Sequence, residues 1–326
     1  MLLRNSLIIS KVFLLLRMMK INKIHIIFHT IIIIISCMNV LQGQTRKTTD
    51  WFDYGSSHIS KWIQVAPGKL GPNALPVPEM DYARIHNHST FETGTHLNVM
   101  PGDTSINSFL ALNWTVVPGR VAVKLWGFPT ETFRTSNDIR DERQIYYDDD
   151  GWMTTKGDLW ISTYIQLMKD KQLLPDVVIN YSLKTTTGSI IHGRFTDGPA
   201  HYFYASAGKS IFPRRFFVDE FRIAGMGGFY VWQTNKVEMA QDEGPLFQGG
   251  IMLRRKNLSL FNEAGAYNGY GAYSYMGIEP HNNPVVYRAR LQLETNSTFW
   301  KLEYKTGWLD YNYATLKLEF VYKFTI

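Results

Sequence analysis

The chain has 326 residues, 45% hydrophobic and 14% aromatic, with a formal net charge of +6. Arg4, Lys11, Arg17, Lys20 and Lys23 precede residue 44 in a stretch without acids, which leaves the remainder at about +1. That balance gives no basic surface for nucleic acid; Cys37 is the lone cysteine, and cleavage after Gly43 would leave no thiol, which excludes disulfides, thiol catalysis and cysteine-built zinc sites.

In chain order, Lys20 and Lys23 lead into an apolar run from Ile26 to Leu41 and the small residue Gly43. This reads as a secretory signal over 1–43, cut before Gln44, with Met19 a more natural start than Met1. The run is short for an uncleaved anchor and His29 interrupts it, while Ile35-Ser36-Cys37 resembles a lipobox only loosely. Residues 44–89 carry Pro67, Pro72, Pro76 and Pro78, too many for a helix or a central strand. The expectation is an irregular segment that plugs a barrel or lies along its periplasmic end.

From Thr90 to the end no window carries a helical period, and strand-length runs recur with turn residues between them. The runs are 90–100, 105–117, 120–133, 158–169, 176–187, 200–208, 219–235, 246–254, 257–267, 285–295, 298–308 and 313–325. Most match the roughly ten residues that a tilted membrane strand needs. Short connections such as 117–120, 169–175, 254–257 and 295–298 alternate with long ones at 134–157, 188–199, 236–245 and 268–284. The alternation fails at 101–104, 209–218 and 309–312.

Alternation alone does not separate a membrane barrel from a soluble sandwich. Aromatic residues near strand ends, Trp114, Trp126, Tyr202, Tyr204, Trp232, Tyr287, Trp300, Trp308 and Tyr322, suit girdles at two lipid interfaces. The last strand is amphipathic to the terminus: Leu316, Leu318, Phe320, Tyr322, Phe324 and Ile326 share one face. In a closed barrel that strand pairs with the first and leaves no edge in lipid. The fold class is therefore all-β: a closed antiparallel transmembrane β-barrel of about twelve strands over 90–326, in the outer membrane.

The opposite face of the last strands is charged, and its register can be read. If Asn296-Ser297 form a two-residue turn, Arg290 faces Glu303, Gln292 faces Lys301 and Leu291 meets Leu302. A loop centred on Asp310 then sets Glu303 against Lys317 and Lys301 against Glu319, avoiding the like-charge pair of the alternative register. Arg288, Arg290, Lys301, Glu303, Lys305, Lys317 and Glu319 are the candidate lumen-lining residues, with positive excess at Arg288, Lys305 and Lys323 predicting weak anion preference.

Within Lys156–Gly188, Gly157 and Asp158 open a strand, Leu174-Pro175 make a turn, and Lys184, Thr187 and Gly188 close the next strand. This hairpin resembles the meta-pathway phenol-degradation group of porin-like outer-membrane barrels, and elsewhere only the strand rhythm does. The resemblance implies an outer-membrane barrel that passes small, often apolar molecules. On the residues themselves, Asp158 and Lys184 could pair inside the barrel near one end, with Gly157 and Gly188 as flexible rims.

Other motifs point less firmly to chemistry. His86 and His88 share a strand face without an evident third metal ligand, and Asp148-Asp149-Asp150-Gly151 lacks the spaced ligands of an EF-hand. Tyr267, Tyr270, Tyr273 and Tyr275 suit an interface girdle better than a sugar or aromatic ligand. His201 with Ser206 or Ser210 is the nearest hydrolytic pair, but His201 and Ser206 do not share a face. Gly225–Gly228 read as a barrel bend or packing point. The expected function is porin-like passage of small solutes, with no cofactor, metal or catalysis, amid outer-membrane lipid and lipopolysaccharide. The alternatives are a barrel-embedded lipid hydrolase and a structural partner of a larger assembly.

Overall fold

The computed structural model describes residues 63–145, 151–169, 171–212, 217–235 and 239–325. The signal segment, Asp148–Asp150 and Ile326 lie outside them. The strands are β1 Ser89–Met100, β2 Asp103–Val117, β3 Val121–Gly127, β4 Glu131–Thr135, β5 Met153–Thr155, β6 Leu159–Met168 and β7 Asp176–Lys184. They continue as β8 Ala200–Ile211, β9 Glu220–Gln233, β10 Gln241–Arg255, β11 Leu258–Tyr267, β12 Pro284–Glu294, β13 Thr298–Leu309 and β14 Ala314–Phe324.

β2 pairs with β3 through one half and with β4 through the other, while β5 pairs with β4 and β6 with β3. β3 with β4, and β5 with β6, are thus two wall strands each broken once, and the barrel has twelve. The break in the expected strand 120–133 falls at Phe128-Pro129-Thr130, where proline cannot donate to a ladder. Gly157 N donates to Phe128 O at 2.9 Å and stitches the gap.

Closure is made by β1 and β14, paired antiparallel from Ser89 with Phe324 to Val99 with Ala314. The terminal strand is therefore a wall strand bonded on both sides, by β13 and by β1. The three-strand register follows the charges: Arg290 faces Glu303, Gln292 faces Lys301, Glu303 faces Lys317 and Lys301 faces Glu319. On the other face Leu291, Leu302 and Leu318 lie in a row, exposed by 42%, 47% and 44%. A continuous exposed apolar belt on a closed barrel is a surface for lipid.

Long connections gather at one rim and short turns at the other. The two short links 101–102 and 310–313 sit on the long-loop rim, which explains the lapses in alternation there. The 212–219 link belongs to the short-turn rim. The long connection after β4 holds an element the sequence reading lacked, helix α1 Asn137–Arg143, whose Ser136 cap accepts a hydrogen bond from Ile139 N. Seven residues give too few turns to show a period, and the cap was the available signal.

Gly94 sits where the seam is tightest: a Cβ there would lie 2.7 Å from both Leu318 O and the Glu319 side chain. Gly94→Val should force the seam apart and cost about 1–3 kcal/mol by overpacking, measurable as a lower urea midpoint in detergent. Deleting Tyr322–Ile326 removes paired residues from the closing strand, so the truncated chain should fail to yield the fast-migrating, heat-modifiable form on unboiled gels. Normal insertion of that truncation would refute closure by this strand.

Candidate functional site

The interior of a barrel is polar only if each charge finds a partner, because a buried lone ion costs several kcal/mol. On the β12–β14 wall, Glu303 bonds Lys317 at 2.7 Å and lies 3.7 Å from Arg290. Lys301 meets Glu92 of β1 and, at 3.3 Å, Glu319, whose carboxylate also contacts His96 Nε2 at 2.9 Å. Arg288 pairs with Glu263 at 2.9 Å and Lys323 with Glu294 at 2.5 Å. Lys305 lies over the Tyr311 ring, 4.4 Å from its centre. The positive excess expected from Arg288, Lys305 and Lys323 is thus narrower than the sequence suggested, since Glu263 and Glu294 answer two of the three.

Asp158 and Lys184 form a buried ion pair at 2.8 Å. Gly188 N donates to Asp158 Oδ1 at 2.8 Å, and a Cβ on Gly188 would meet that carboxylate at 2.7 Å. Glycine at 188 serves close approach rather than the rim flexibility that the sequence suggests.

Residues 63–88 have no regular structure beyond a 3-10 turn at Pro67–Lys69, and they bond to inward side chains on opposing walls. Tyr267 OH donates to Leu75 O at 2.7 Å, and Arg288 and Gln248 donate to Pro78 O. Arg222 Nε donates to Tyr82 O at 2.8 Å and Gln166 Nε2 to Ala83 O at 3.1 Å. Arg222 is held in turn by Asp176 at 2.8 Å. Two acids of the segment point the other way: Glu79 meets Lys317 and Arg290, and Asp81 accepts from Tyr204 and Ser206. An irregular, proline-rich backbone has no ladder to satisfy its carbonyls, so wall side chains do it.

The segment's other end reaches the long-loop rim. Gly68 N donates to His281 O and Gly71 N to Gly193 O. Lys69 bonds Glu142 of α1 at 2.9 Å and holds that carboxyl below its usual range. Arg194 joins Asp103 and Glu131, while Arg143 of α1 bonds the same Asp103 at 2.7 Å. Beside this latch His192 is pushed down to about 4 by burial and by the Arg194 cation. At the short-turn rim a cavity of 270 Å³ remains between segment and wall, lined among others by Arg84, Glu92, Lys124, Arg254, Arg290 and Lys301.

Several aromatic residues expected in girdles turn inward. Tyr202, Tyr204 and Trp232 are buried, and Trp126 stacks on buried Trp160 at 5.0 Å. Trp114 and Trp308 do face outward near strand ends. The tyrosine cluster divides: Tyr267 and Tyr273 are buried, Tyr270 and Tyr275 exposed. His86 and His88 stack on each other beside Phe299, and no group of three metal-holding side chains occurs among the described residues. Ser206 bonds Asp81 in the interior whereas His201 lies beside Tyr181 on the other face, and Ser210 bonds Glu220.

No family model and no curated relative matches the chain. Among solved structures it is similar to an outer membrane channel from Pseudomonas putida F1, at 12% identity and a TM-score of 0.52, over 76% of this chain and 100% of that one. More distant are the KdgM porin in complex with disordered oligogalacturonate, at 8% identity, TM-score 0.42 and coverage of 72% and 99%, and the translocator domain of autotransporter NalP from Neisseria meningitidis, at 10%, 0.43, 74% and 90%. Those two are too remote to carry an argument. The likeness to the first is one of fold, and the exposed apolar belt marks this closed barrel as one that spans a membrane.

Removing one partner of a buried pair strands the other. Lys184→Ala should cost about 3–5 kcal/mol, whereas the double change Asp158→Leu with Lys184→Met should lie within about 1 kcal/mol of the parent. Equilibrium unfolding in detergent would separate the two.

Proposed function

We propose that this barrel passes small polar solutes across the outer membrane and that residues 63–88 are its plug and gate. The observation that carries the reading is how the segment is held. Its backbone carbonyls and its two acids bond to wall side chains, and such contacts exchange readily with water or solute. The cavity at the short-turn rim gives a wet vestibule beneath the segment. With short turns toward the periplasm, this vestibule faces inward, the long-loop latch faces out, and the belt meets lipid and lipopolysaccharide. The Asp158–Lys184 pair and the turn before Pro175 support placing the chain near the phenol-degradation type of porin-like barrels.

Glu79→Gln with Asp81→Asn should loosen the segment without touching the wall. Ion conductance in planar bilayers, and liposome swelling with pentoses, should rise severalfold over the parent. If parent and variant are both impermeable to ions and pentoses, the barrel is not a channel.

Charge selection should be weak, because most lumen ions are paired. We expect slight anion preference, with Lys305 the residue that tests it, since its amine lies over a ring and pairs with no acid among the described residues. Lys305→Glu should shift the reversal potential in a salt gradient toward cations. Cation preference in the parent, or no shift in the variant, would show that this wall lies off the permeation path.

A further inference from the structure

An arc of aromatic side chains, drawn from five wall strands, lines the long-loop half of the interior. Trp126 stacks on Trp160, and Trp160 lies 5.5 Å from Tyr202. Tyr202 meets Tyr230 at 5.5 Å, and Tyr230 meets Tyr267 at 4.8 Å and Trp232 at 5.5 Å. Trp160, Tyr230 and Trp232 are no more than 1% exposed, and their Nε1, hydroxyl and Nε1 groups have no hydrogen-bond partner among the described residues. Leaving such donors unmet costs free energy, and at Tyr230 a phenylalanine would fill nearly the same space without that cost. Leu75 and Val77 of the segment belong to the same buried apolar cluster as these rings.

The donors that the segment does satisfy share one feature. Tyr267, Gln248, Arg288, Arg222 and Gln166 all donate to main-chain carbonyl oxygens of residues 75–83. Each bond needs only a neutral oxygen at that place, not a particular side chain. The two arginines are already neutralised by Glu263 and Asp176, so an anion gains little from them. What fits is a ligand with many neutral oxygens for these donors and apolar faces for the rings.

From this we infer that the lumen is a binding track for a linear, uncharged oligosaccharide, and that residues 75–83 occupy it as a stand-in. Ring hydroxyls would accept from the five donors the segment now uses and from the three it leaves unmet. Pyranose C–H faces would pack on the aromatic arc. A neutral glycan is preferred to an extended peptide because a peptide already fills the track and leaves Trp160, Tyr230 and Trp232 without acceptors. The inference rests on the channel reading and names its solute class.

The test uses the full chain, with maltohexaose, cellohexaose and chitohexaose peracetylated on nitrogen as probes. Tryptophan fluorescence in detergent reports binding, and current block in planar bilayers reports entry. We expect at least one glycan series to bind, more tightly from dimer to hexamer, and to block the current. Tyr230→Phe and Trp232→Phe, which remove only a polar tip or shrink a ring, should each weaken binding about fivefold or more while keeping heat-modifiable mobility. Absence of binding by every series, binding independent of chain length, or unchanged affinity in both variants overturns the proposal. So does stronger block by a peptide copying residues 75–85 when the glycans do not block. Conductance without block defeats the glycan track alone. Glycan binding without conductance upholds the track and defeats the channel reading.

Discussion

Everything in this molecule depends on the ladder between β1 and β14. In hydrocarbon an unpaired strand edge has no water to turn to, and each orphaned amide or carbonyl costs several kcal/mol. The seam therefore has to run the full length of both strands, and it does, from Ser89 to Val99. Once the ladder is closed, side chains alternate between lipid and interior with no further choice. Leucines at 291, 302 and 318 then lie outside, and the charges beside them lie within.

The same closure creates a second requirement. A dozen wall strands enclose a space that lipid does not fill, and charges placed there must be answered locally. β12–β14 answer one another through Glu303 and Glu319, and β1 contributes Glu92 and His96. What the wall leaves over is met by the chain's own segment, whose Glu79 closes the Lys317–Arg290 gap. The segment is thus part of the electrostatic structure of the interior as well as an obstacle in it. An apolar cork would instead leave Lys317 and Arg290 to share Glu303 alone.

Where sequence predicted structure well, local constraints were strong. The register of the last three strands was legible because a two-residue turn fixes parity and because one alternative sets Glu303 against Glu319. The twelve strands were legible from period and turn spacing, but their ends were not. β10 begins at Gln241, well before the expected 246, and runs through Pro245, which lacks an amide to donate. Position alone hides the inward turn of Trp126, Tyr202 and Trp232, because aromatic residues near strand ends suggest girdles. Lys124 and Ser206 are on the same faces as Trp126 and Tyr202 and give the direction away. The partners of the segment could not be read at all. Contacts such as Tyr267 with Leu75 or Arg222 with Tyr82 join residues far apart in the chain, through carbonyls that every residue carries.

The path of the segment bears on the order of assembly. Residues 63–75 lie toward the long-loop rim and 80–88 toward the short-turn rim, so the chain runs lengthwise through the barrel before β1 begins. β14 closes against β1, with every other described strand between them in the chain. A lengthwise segment anchored on opposing walls is far harder to insert into a sealed cylinder than to enclose in an open sheet. The zipping of β14 onto β1 is then the moment of capture, and the sheet has to stay open until the segment has been laid in.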